Sequence, residues 1–366
     1  MDLVNKLAVG KAKELKKRLP ELITLERLIK SFEGLARVRV EETIRHEGHE
    51  FPIYSLVLGS QEPEAPAFGV FGGIHGLERI GSEVVLAWMH TLSEILRWDQ
   101  TFRDRLEKSR LVFMPIVNPV GMFQMSRSNG NGVDLMRNSP VEAVEKPAFL
   151  LGGHHFSHRL PWYRGRSESP ATMELEAQAV CRVVEREIFP SRVGVSLDVH
   201  SGFGMMDQLW FPYAKTVEPP LHCTEIMALK RLFDRSYPNH FYKIEPQAKN
   251  YTTHGDLWDW LYDSRLNRDG GSLESGIFIP FTLELGSWTW LKKNPRQLFS
   301  SLGPFNPIKP HRLQRILRRH MTLLDFIHRA VISPQAWVDL SDDVRRQLRH
   351  RAEDVWYSKK SGKEMG

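Results

Sequence analysis

The stretch FGVFGGIHGLERIGSEVVLAWM, residues 68–89, joins a short apolar run to a glycine turn and an amphipathic segment. The apolar residues 68–71 predict a buried strand, and the glycine pair that follows predicts a tight turn. This turn presents His75 and Glu78, and a helix is predicted to begin at about Ser82. An imidazole and a carboxylate three residues apart can bind one metal ion, and zinc accepts both kinds of ligand.

Taken alone, the pair of His75 and Glu78 is weak evidence for a metal site. A chain with this many histidines and glutamates is expected to contain roughly one H-x-x-E match by chance. A catalytic zinc takes three protein ligands and a water molecule, so the rest of the chain has to supply a third ligand. The two cysteines, Cys181 and Cys223, stand far apart and form no C-x-x-C motif. We therefore expect any metal to be held by histidine and carboxylate side chains.

The composition is that of a soluble globular protein, with 41% hydrophobic and 26% charged residues in a chain of 366. This length suffices for one large domain or two ordinary ones. The net charge of +6 is compatible with an anionic partner, but a solvated basic surface explains it more simply. The sequence contains no RNA-reading aromatic motif and no cysteine-rich finger, so no nucleic-acid partner is expected.

The beginning of the chain lacks the unbroken apolar segment of a signal peptide. No apolar run approaches the length of about eighteen residues that a membrane span needs, so no membrane partner is expected. These features predict a cytoplasmic protein with reduced thiols.

Local periodicity divides the chain into alternating strands and helices. Strands are predicted at residues 36–44, 51–58, 68–71, 110–117, 193–199, 209–213 and 277–285. Helices are predicted at residues 3–35 (broken at Pro20), 82–96, 172–188, 223–234, 255–262, 293–300, 310–331 and in the tail from residue 333. Residues 122–170 are expected to form a long functional loop, and residues 358–366 a frayed polar end. The alternation predicts an α/β layered fold with a largely parallel sheet.

In such folds, ligands bind outside the carboxyl ends of the strands. His75, Asn118, His200 and Glu284 all fall at or just after the ends of predicted strands. This coincidence predicts one shared site. His200, in SLDVHSG, is the natural third metal ligand, although a histidine that ends a strand is about as often a packed structural residue.

Glu284 ends the otherwise apolar strand in PFTLELGS. Burying an acid there is unfavourable unless the acid is paired or functional. A general base that takes a proton from metal-bound water is one interpretation. A salt bridge to one of the many arginines is the other.

Seven sequence elements occur in a fixed order along the chain. They are HGLE at 75–78, NPVG at 118–121, Arg127, GVDLMRN at 132–138, HSG at 200–202, YTTHGDLWDW at 251–260 and FTLELG at 281–286. This set resembles the zinc carboxypeptidases of the carboxypeptidase A type, the M14 metallopeptidases, in a bacterial or cytosolic branch. No single element is specific to this family, but the seven elements in this order are.

The resemblance implies a three-layer α/β/α fold with a mixed, largely parallel central sheet. It covers about residues 68–286, and we expect the catalytic domain to span residues 41–330. The flanks would then be an N-terminal helical extension, residues 1–40, and a C-terminal helical tail, residues 331–366.

The resemblance also implies one zinc ion per chain, held by His75, Glu78 and His200 with water in the fourth position. Arg127 would polarise the scissile carbonyl and stabilise the developing oxyanion, a task that suits a preorganised cation. Glu284 would be the general base and then the proton donor to the leaving amine.

Other residues of the motifs are implied to bind substrate or to orient the ligands. Arg137 would grip the terminal carboxylate of the substrate with its planar fork, and Tyr251 would cap the bound substrate. Asn138 and Trp258 are likewise assigned to substrate binding, with Trp258 in the pocket for the terminal side chain. Asp134 resembles the acid that orients the first zinc-binding histidine.

Met136 departs from the family pattern, which has asparagine before the clamp arginine. Methionine cannot donate the hydrogen bond that this asparagine gives to the terminal carboxylate, which corresponds to about 1.5–3 kcal/mol of affinity. The main hypothesis is a zinc metallocarboxypeptidase acting on peptides. The alternatives are a zinc amidase or deacylase for a cell-wall peptide or N-acyl amino acid, and a catalytically silent peptide-binding protein.

Other chemistries have weaker support in the sequence. There is no G-x-S-x-G nucleophile elbow and no P-loop. His154, His155 and His158 form a second histidine cluster, but no carboxylate stands beside it. We therefore expect a loop bordering the cleft there rather than a second metal site.

Overall fold

The central element of the fold is a mixed sheet of eight strands, seen in a computed structural model that describes residues 9–202, 204–268 and 276–358. The strand order is β1-β2-β4-β3-β5-β8-β6-β7, and four of the seven pairings are parallel. The strands are β1 Ala36–His46, β2 His49–Gly59, β3 Ala67–Gly72, β4 Arg110–Met114, β5 Val193–Ser201, β6 Gln208–Phe211, β7 Lys243–Pro246 and β8 Ile277–Leu285.

Helices cover both faces of this sheet. In the described residues they are α1 Val9–Arg18, α2 Pro20–Ser31, α3 Arg79–Ile95, α4 Gln100–Glu107, α5 Pro119–Gln124, α6 Leu175–Glu187, α7 Cys223–Ser236, α8 Leu257–Arg268, α9 Trp288–Lys293, α10 Pro310–Arg319, α11 Met321–Ile332 and α12 Asp342–Ala352.

The alternation of side chains along each central strand separates two apolar clusters, one on either face. In β3, Phe68 and Val70 join the cluster under α3 and α11, whereas Ala67 and Phe71 join the cluster under α6 and α8. Successive strand residues point to opposite faces, so a strand buried on both sides is apolar throughout. The predicted three-layer α/β/α architecture with a mixed, largely parallel sheet is therefore confirmed.

Several predicted element boundaries differ from the structure. The strand predicted to reach residue 117 ends at Met114, because Pro115 follows and has no N–H for the ladder. The helix predicted over residues 310–331 is two helices that meet at His320. The sequence pattern missed the short helix α4 and the edge strand β7. The predicted polar end beyond residue 358 and the first residues of the N-terminal stripe lie outside the described residues.

The two flanks of the chain pack onto the same apolar cluster as the sheet. Leu22 of α2 and Leu348 of α12 belong to the cluster that contains Phe68 of β3. The domain boundaries at residues 40 and 330 stay predictions, and β1 crosses the first of them. Among the described residues, no helix combines the length and apolarity required to cross a bilayer.

Candidate active site

The carboxyl ends of β3, β5 and β8 lie side by side because these strands are parallel neighbours. Gly72 at the end of β3 is the Cα partner of Val199, and His200 is the Cα partner of Glu284. The turn after β3 carries His75 to the same edge. Side chains from three separate parts of the sequence therefore meet at one edge of the sheet.

The turn that carries His75 and Glu78 is held against the turn that follows β4. Asn118 donates from Nδ2 to the carbonyl of Ile74 at 3.1 Å and accepts a hydrogen bond from the Gly121 amide at 2.8 Å. Gly76 packs so closely here that an added Cβ would lie 2.0 Å from the carbonyl carbon of Gly121. The glycine is required by this approach of two backbones, which fixes where His75 and its neighbours can lie.

The ligand atoms of His75, Glu78 and His200 converge. His75 Nδ1 lies 2.9 Å from Glu78 Oε1, and His200 Nδ1 lies 3.0 Å from Glu78 Oε2. The two Nδ1 atoms are 3.2 Å apart. Zinc bonds of about 2.0–2.1 Å in a tetrahedron place neighbouring ligand atoms about 3.3 Å apart, so these separations suit a zinc ion.

Both histidines direct Nδ1 toward the candidate metal position, because a carboxylate forms a hydrogen bond with Nε2 of each ring. Nε2 of His75 lies 3.0 Å from Oδ1 of Asp134, and Nε2 of His200 lies 2.6 Å from Oδ2 of Asp198. A carboxylate accepts the Nε2 proton and leaves a lone pair on Nδ1. Two such lone pairs 3.2 Å apart repel each other unless a cation lies between them. The donor set therefore fits a metal ion.

The carboxylates of Glu78 and Asp134 stay ionised in the candidate site. Burial disfavours the ionised form of Glu78, but the imidazoles of His75 and His200 outweigh it and hold the pKa of Glu78 below its ordinary value. Burial likewise opposes ionisation of Asp134, yet the charges of Arg127 and His75 keep its pKa well below the usual range. Glu78 therefore remains ionised although it is buried, and a carboxylate beside two imidazole nitrogens is a ligand set that zinc accepts.

Glu284 lies beside these groups with one oxygen unengaged. Its Oε2 is buried and has no hydrogen-bond partner among the described residues. Burial raises the pKa of Glu284 to about 7, with the charge of His200 lowering it and that of Glu78 raising it further. A carboxyl group with a pKa near neutrality can both take and return a proton. Among the described residues, no arginine donates a hydrogen bond to Oε2 of Glu284, so this oxygen takes no part in the salt bridge considered as the alternative.

Arg127 links two carboxylates of the site. Its Nε donates to Asp134 Oδ2 at 2.8 Å, and its Nη1 donates to Glu78 Oε1 at 3.3 Å. Burial works against its charge, but Asp134 and Glu78 raise its pKa above the ordinary value. The side chain keeps 20% of its surface exposed, so a fixed cation remains accessible beside the metal ligands.

Arg137 and Tyr251 form a second polar group, in which the two side chains are hydrogen-bonded to each other. Arg137 is 3% exposed, and its Nε and Nη2 each donate to the carbonyl of Leu151 at 3.3 Å. Burial raises the pKa of Tyr251, whereas the charge of Arg137 and a hydrogen bond from it lower that pKa. The charge of Glu284 also raises the pKa of Tyr251, and that of Arg127 lowers it.

Asn138 and Trp258 are buried and bonded to other parts of the protein. The amide of Asn138 donates to the carbonyls of Arg164 and Arg166, each at 2.8 Å, and so fastens the long loop. Trp258 is 3% exposed and donates from Nε1 to Asp198 Oδ2 at 2.9 Å. The contacts of these two residues with substrate stay predictions.

Asp198 is the site residue that sequence reasoning missed. It lies two positions before His200 in β5, where alternation puts both side chains on one face of the strand. The motif D-x-H therefore carried the signal. Sequence alone could not reveal that the indole of Trp258 holds the same carboxylate, because these residues are sixty positions apart.

Two histidines of the second cluster contact backbone carbonyl groups within the long loop. His154 Nε2 lies 2.8 Å from the carbonyl of Pro161, and its ring stacks on Phe156 with centroids 5.3 Å apart. His155 Nδ1 lies 3.1 Å from the carbonyl of Gly165. These contacts organise the loop around residues 154–165.

Comparison with protein families places this arrangement in a known group. The family model described as zinc carboxypeptidase, Peptidase_M14, matches residues 10–291 of the chain. The chain therefore belongs to the zinc carboxypeptidase family of M14 peptidases, which confirms the resemblance seen in the motifs. A family of this kind implies a zinc cofactor, and His75, Glu78 and His200 form a group that could hold it.

Individual relatives match parts of the chain. Carboxypeptidase E of Caenorhabditis elegans is 27% identical over 166 residues, covering 41% of this chain and 32% of that protein. The carboxypeptidase N catalytic chain of Rattus norvegicus is 32% identical over 179 residues, covering 45% and 36%. The chain thus matches about a third of the length of these relatives. Carboxypeptidase A from Helicoverpa armigera shares the fold, with a TM-score of 0.62 at 18% identity over 84% of this chain and 71% of that chain.

Proposed function

We propose that this protein is a zinc-dependent metallocarboxypeptidase that hydrolyses a C-terminal peptide bond. The observation that carries the proposal is the convergence of two Nδ1 atoms and the Glu78 carboxylate at distances that suit zinc, with Glu284 as the Cα partner of one ligand. When bound, zinc supplies a Lewis acid and lowers the pKa of a coordinated water molecule. Side chains of the protein carry out proton transfer, stabilise the oxyanion and bind the substrate.

Glu284 is proposed to move the proton. As a carboxylate it accepts a proton from the attacking water, and as a carboxylic acid it then donates this proton to the leaving amine. Its pKa, raised to about 7 by burial, allows both states near neutral pH. The unengaged Oε2 provides the atom at which the proton resides.

Arg127 is proposed to stabilise the oxyanion that forms at the scissile carbonyl. Its guanidinium is already fixed by Asp134 and Glu78, so no reorganisation is needed when the negative charge develops. Asp134 and Asp198 act as positioning residues, because each holds a histidine ring with Nδ1 directed to the centre.

Arg137 and Tyr251 are proposed to bind the terminal carboxylate of the substrate. The bonds from Arg137 to the Leu151 carbonyl are long, at 3.3 Å, and a carboxylate is the stronger acceptor for this planar fork. Tyr251 lies beside Arg137 and could donate its hydroxyl to the same group.

A zinc amidase or deacylase is the second candidate, and the position of Met136 favours it. Met136 is 4% exposed and packs in the apolar cluster with Leu257 and Trp258, so its side chain is turned away from polar ligands. Arg137 is meanwhile bonded to backbone carbonyls. A site with one fewer donor for a terminal carboxylate suits a substrate that lacks a free carboxylate at that place.

The two candidates are separated by substrates that differ only in their terminus. Zinc-loaded protein is assayed with blocked dipeptides that carry a free or an amidated C-terminus. A carboxypeptidase hydrolyses the free form and loses most activity on the amide, whereas an amidase of N-acyl or cell-wall substrates does not depend on that carboxylate.

Glu284→Gln tests the catalytic assignment with either substrate. The variant removes the base while keeping the shape, so turnover is expected to fall about 10²–10⁴-fold with zinc content unchanged. Glu94→Gln, at an exposed position paired with Arg97, is the matched control. Unchanged turnover in Glu284→Gln, or a protein that binds no stoichiometric zinc, would refute the proposed function.

A further inference from the structure

A basic cavity of about 490 Å³ lies next to the candidate active site. Cationic side chains from α9 and α10 line it, and apolar side chains form part of its wall. We call it the basic cleft and define it by Lys293, His311, Arg312, Arg315 and Arg319, with Asp207, Met206, Trp290 and Ile316 as neighbours. None of these residues belongs to the set assigned to zinc or to proton transfer.

The basic cleft is connected to Glu284 by the backbone that follows β8 and by the pairing of β6 with β8. Gly286, in its lining, follows Glu284 by two residues, which in an extended strand corresponds to about 7 Å. Asp207 accepts a hydrogen bond from the Gly286 amide at 2.9 Å. The next residue, Gln208, is the Cα partner of Glu284 in the β6–β8 pairing. The cleft and the catalytic edge therefore share one short stretch of backbone.

The positive charge of the cleft is largely uncompensated. Arg319 pairs with Asp207 at 3.0 Å and lies 3.5 Å from the centroid of the Phe241 ring. Lys293 and Arg315 have no carboxylate partner within the described part of the chain. Helix α10, PHRLQRILRR, contains no acidic residue. Without His311, the cleft therefore has four cationic side chains, from Lys293 and the three arginines, and one carboxylate, from Asp207.

Uncompensated cations that gather around a concavity attract and concentrate anions, because the low-dielectric wall focuses their field. An ordinary solvated surface intersperses both signs, as on α12, where Arg346 and Asp343 pair with each other. On α10 no two side chains of the helix can pair in this way, because the helix contains no acidic residue. An anionic ligand is therefore the chemistry that the cleft fits.

The surroundings favour carboxylates on a peptide over a nucleic acid. Met206, Trp290 and Ile316 place apolar surface between the cations, which suits the aliphatic stems of glutamate side chains. The cleft is a single cavity rather than a long basic track of the kind that a phosphate backbone follows. The distance of about 7 Å along the backbone from Glu284 to Gly286 corresponds to about two residues of an extended peptide substrate.

We propose that the basic cleft binds an acidic segment of the peptide substrate, a few residues upstream of the bond that is cleaved. This inference rests on the proposed function, since it extends the same substrate away from the zinc site. Lys293 and Arg315 are the specificity-determining residues, because their charges are available to carboxylates of the substrate.

The kinetic test compares two peptides that share the same C-terminal dipeptide and differ upstream, with three glutamates in one and three glutamines in the other. For the zinc-loaded protein at low salt, kcat/KM is expected to be about tenfold higher for the glutamate peptide, mainly through a lower KM. Raising the salt to about 0.5 M should remove most of this preference, because screening weakens contacts between exposed charges. Equal kcat/KM values for both peptides at low salt would overturn the proposal.

The variant Lys293→Glu/Arg315→Glu should abolish the preference, because kcat/KM for the glutamate peptide should fall at least to the value for the glutamine peptide. Arg231→Glu/Arg235→Glu is the matched control, with the same change in net charge in a second basic groove beside α7. If the control variant abolishes the preference equally, the effect is long-range attraction by net charge, and the proposed cleft is refuted.

A binding measurement separates this inference from the proposed function. Fluorescence anisotropy of the labelled glutamate peptide with zinc-loaded Glu284→Gln needs no turnover. Binding that is weakened about tenfold by Lys293→Glu/Arg315→Glu supports the cleft even if the wild-type protein hydrolyses no peptide. Binding that the substitution does not change, or a labelled oligonucleotide that binds in a way that depends on Lys293 and Arg315 while the peptide does not, overturns it.

Discussion

Asp198 and His200 lie two positions apart on one face of β5, and Oδ2 of Asp198 is 2.6 Å from Nε2 of His200. The carboxylate thereby fixes which imidazole nitrogen faces the proposed zinc site. Trp258 donates its indole N–H to the same oxygen at 2.9 Å and limits rotation of the carboxylate. A residue that does not touch the metal position therefore sets the orientation of one that does.

Asp198→Asn is expected to reduce zinc affinity about 10–100-fold, because the neutral amide holds the imidazole proton less strongly. Competition with a chelator at pH 7.5, a value of about one pH unit above the ordinary histidine pKa, measures the change. Asp325→Asn, a partly exposed partner of Arg105, is the control and should leave zinc affinity unaltered. Equal affinities for Asp198→Asn and the wild type would show that the contact does not orient His200.

The acid side of the pH–rate profile should report the ionisation of Glu284. The general base has to be deprotonated, so kcat/KM should fall as the pH drops through the pKa of this group. Burial raises that pKa to about 7, and a bound dication would lower it, so the midpoint is expected at or below about 7. Steady-state rates between pH 5 and pH 9 give the midpoint. A profile that is flat down to pH 5 would argue against Glu284 as the base.

Gly76→Ala should disrupt the turn that carries His75 and Glu78. The new methyl group would lie 2.0 Å from a backbone carbon of Gly121, where no flexible side chain can move aside. We expect a loss of about 1–3 kcal/mol in the free energy of unfolding, together with weaker zinc binding. Denaturant titration and zinc titration measure the two effects.

Gly34→Ala provides the comparison for this glycine. Its φ of +78° makes alanine unfavourable, but an added Cβ meets nothing within 4 Å. Gly34→Ala should therefore lower the free energy of unfolding by about 1 kcal/mol and leave zinc affinity unaffected. If Gly76→Ala binds zinc as tightly as Gly34→Ala does, the close contact does not position the ligands.

Stability should depend on pH through Glu83 on α3. Burial and the nearby carboxylate of Glu21 raise the pKa of Glu83 to about 7, against the opposing charge of Arg79. The folded state therefore binds this proton more tightly than the unfolded state. The associated stability is complete below pH 4.5, the ordinary value, and is lost as the pH rises through about 7.

Glu83→Gln should remove this dependence, because glutamine does not ionise. Between pH 5 and pH 8, urea denaturation should show that the variant gains on the order of 2 kcal/mol relative to the wild type. Glu94→Gln on the exposed side of the same helix is the control. A stability difference that is the same at both pH values would contradict the assigned cause.

The sequence by itself determined where the candidate site lies along the sheet. His75, His200 and Glu284 each follow an apolar run, and parallel strands bring their carboxyl ends to one edge. Strand periodicity and glycine turns are local properties, so they can be found without knowledge of distant contacts. The layered architecture and the three metal-ligand candidates were accessible for this reason.

Only the tertiary structure decided how these groups are held and what surrounds them. The bond from Trp258 to Asp198, the burial of Met136 and the bonds from Arg137 to Leu151 join segments or orient side chains through packing. The basic cleft likewise combines residues just before β6 with residues of α10, which are about a hundred positions apart. Such contacts depend on strand order and on the paths of loops, and local sequence patterns do not encode the distances between them.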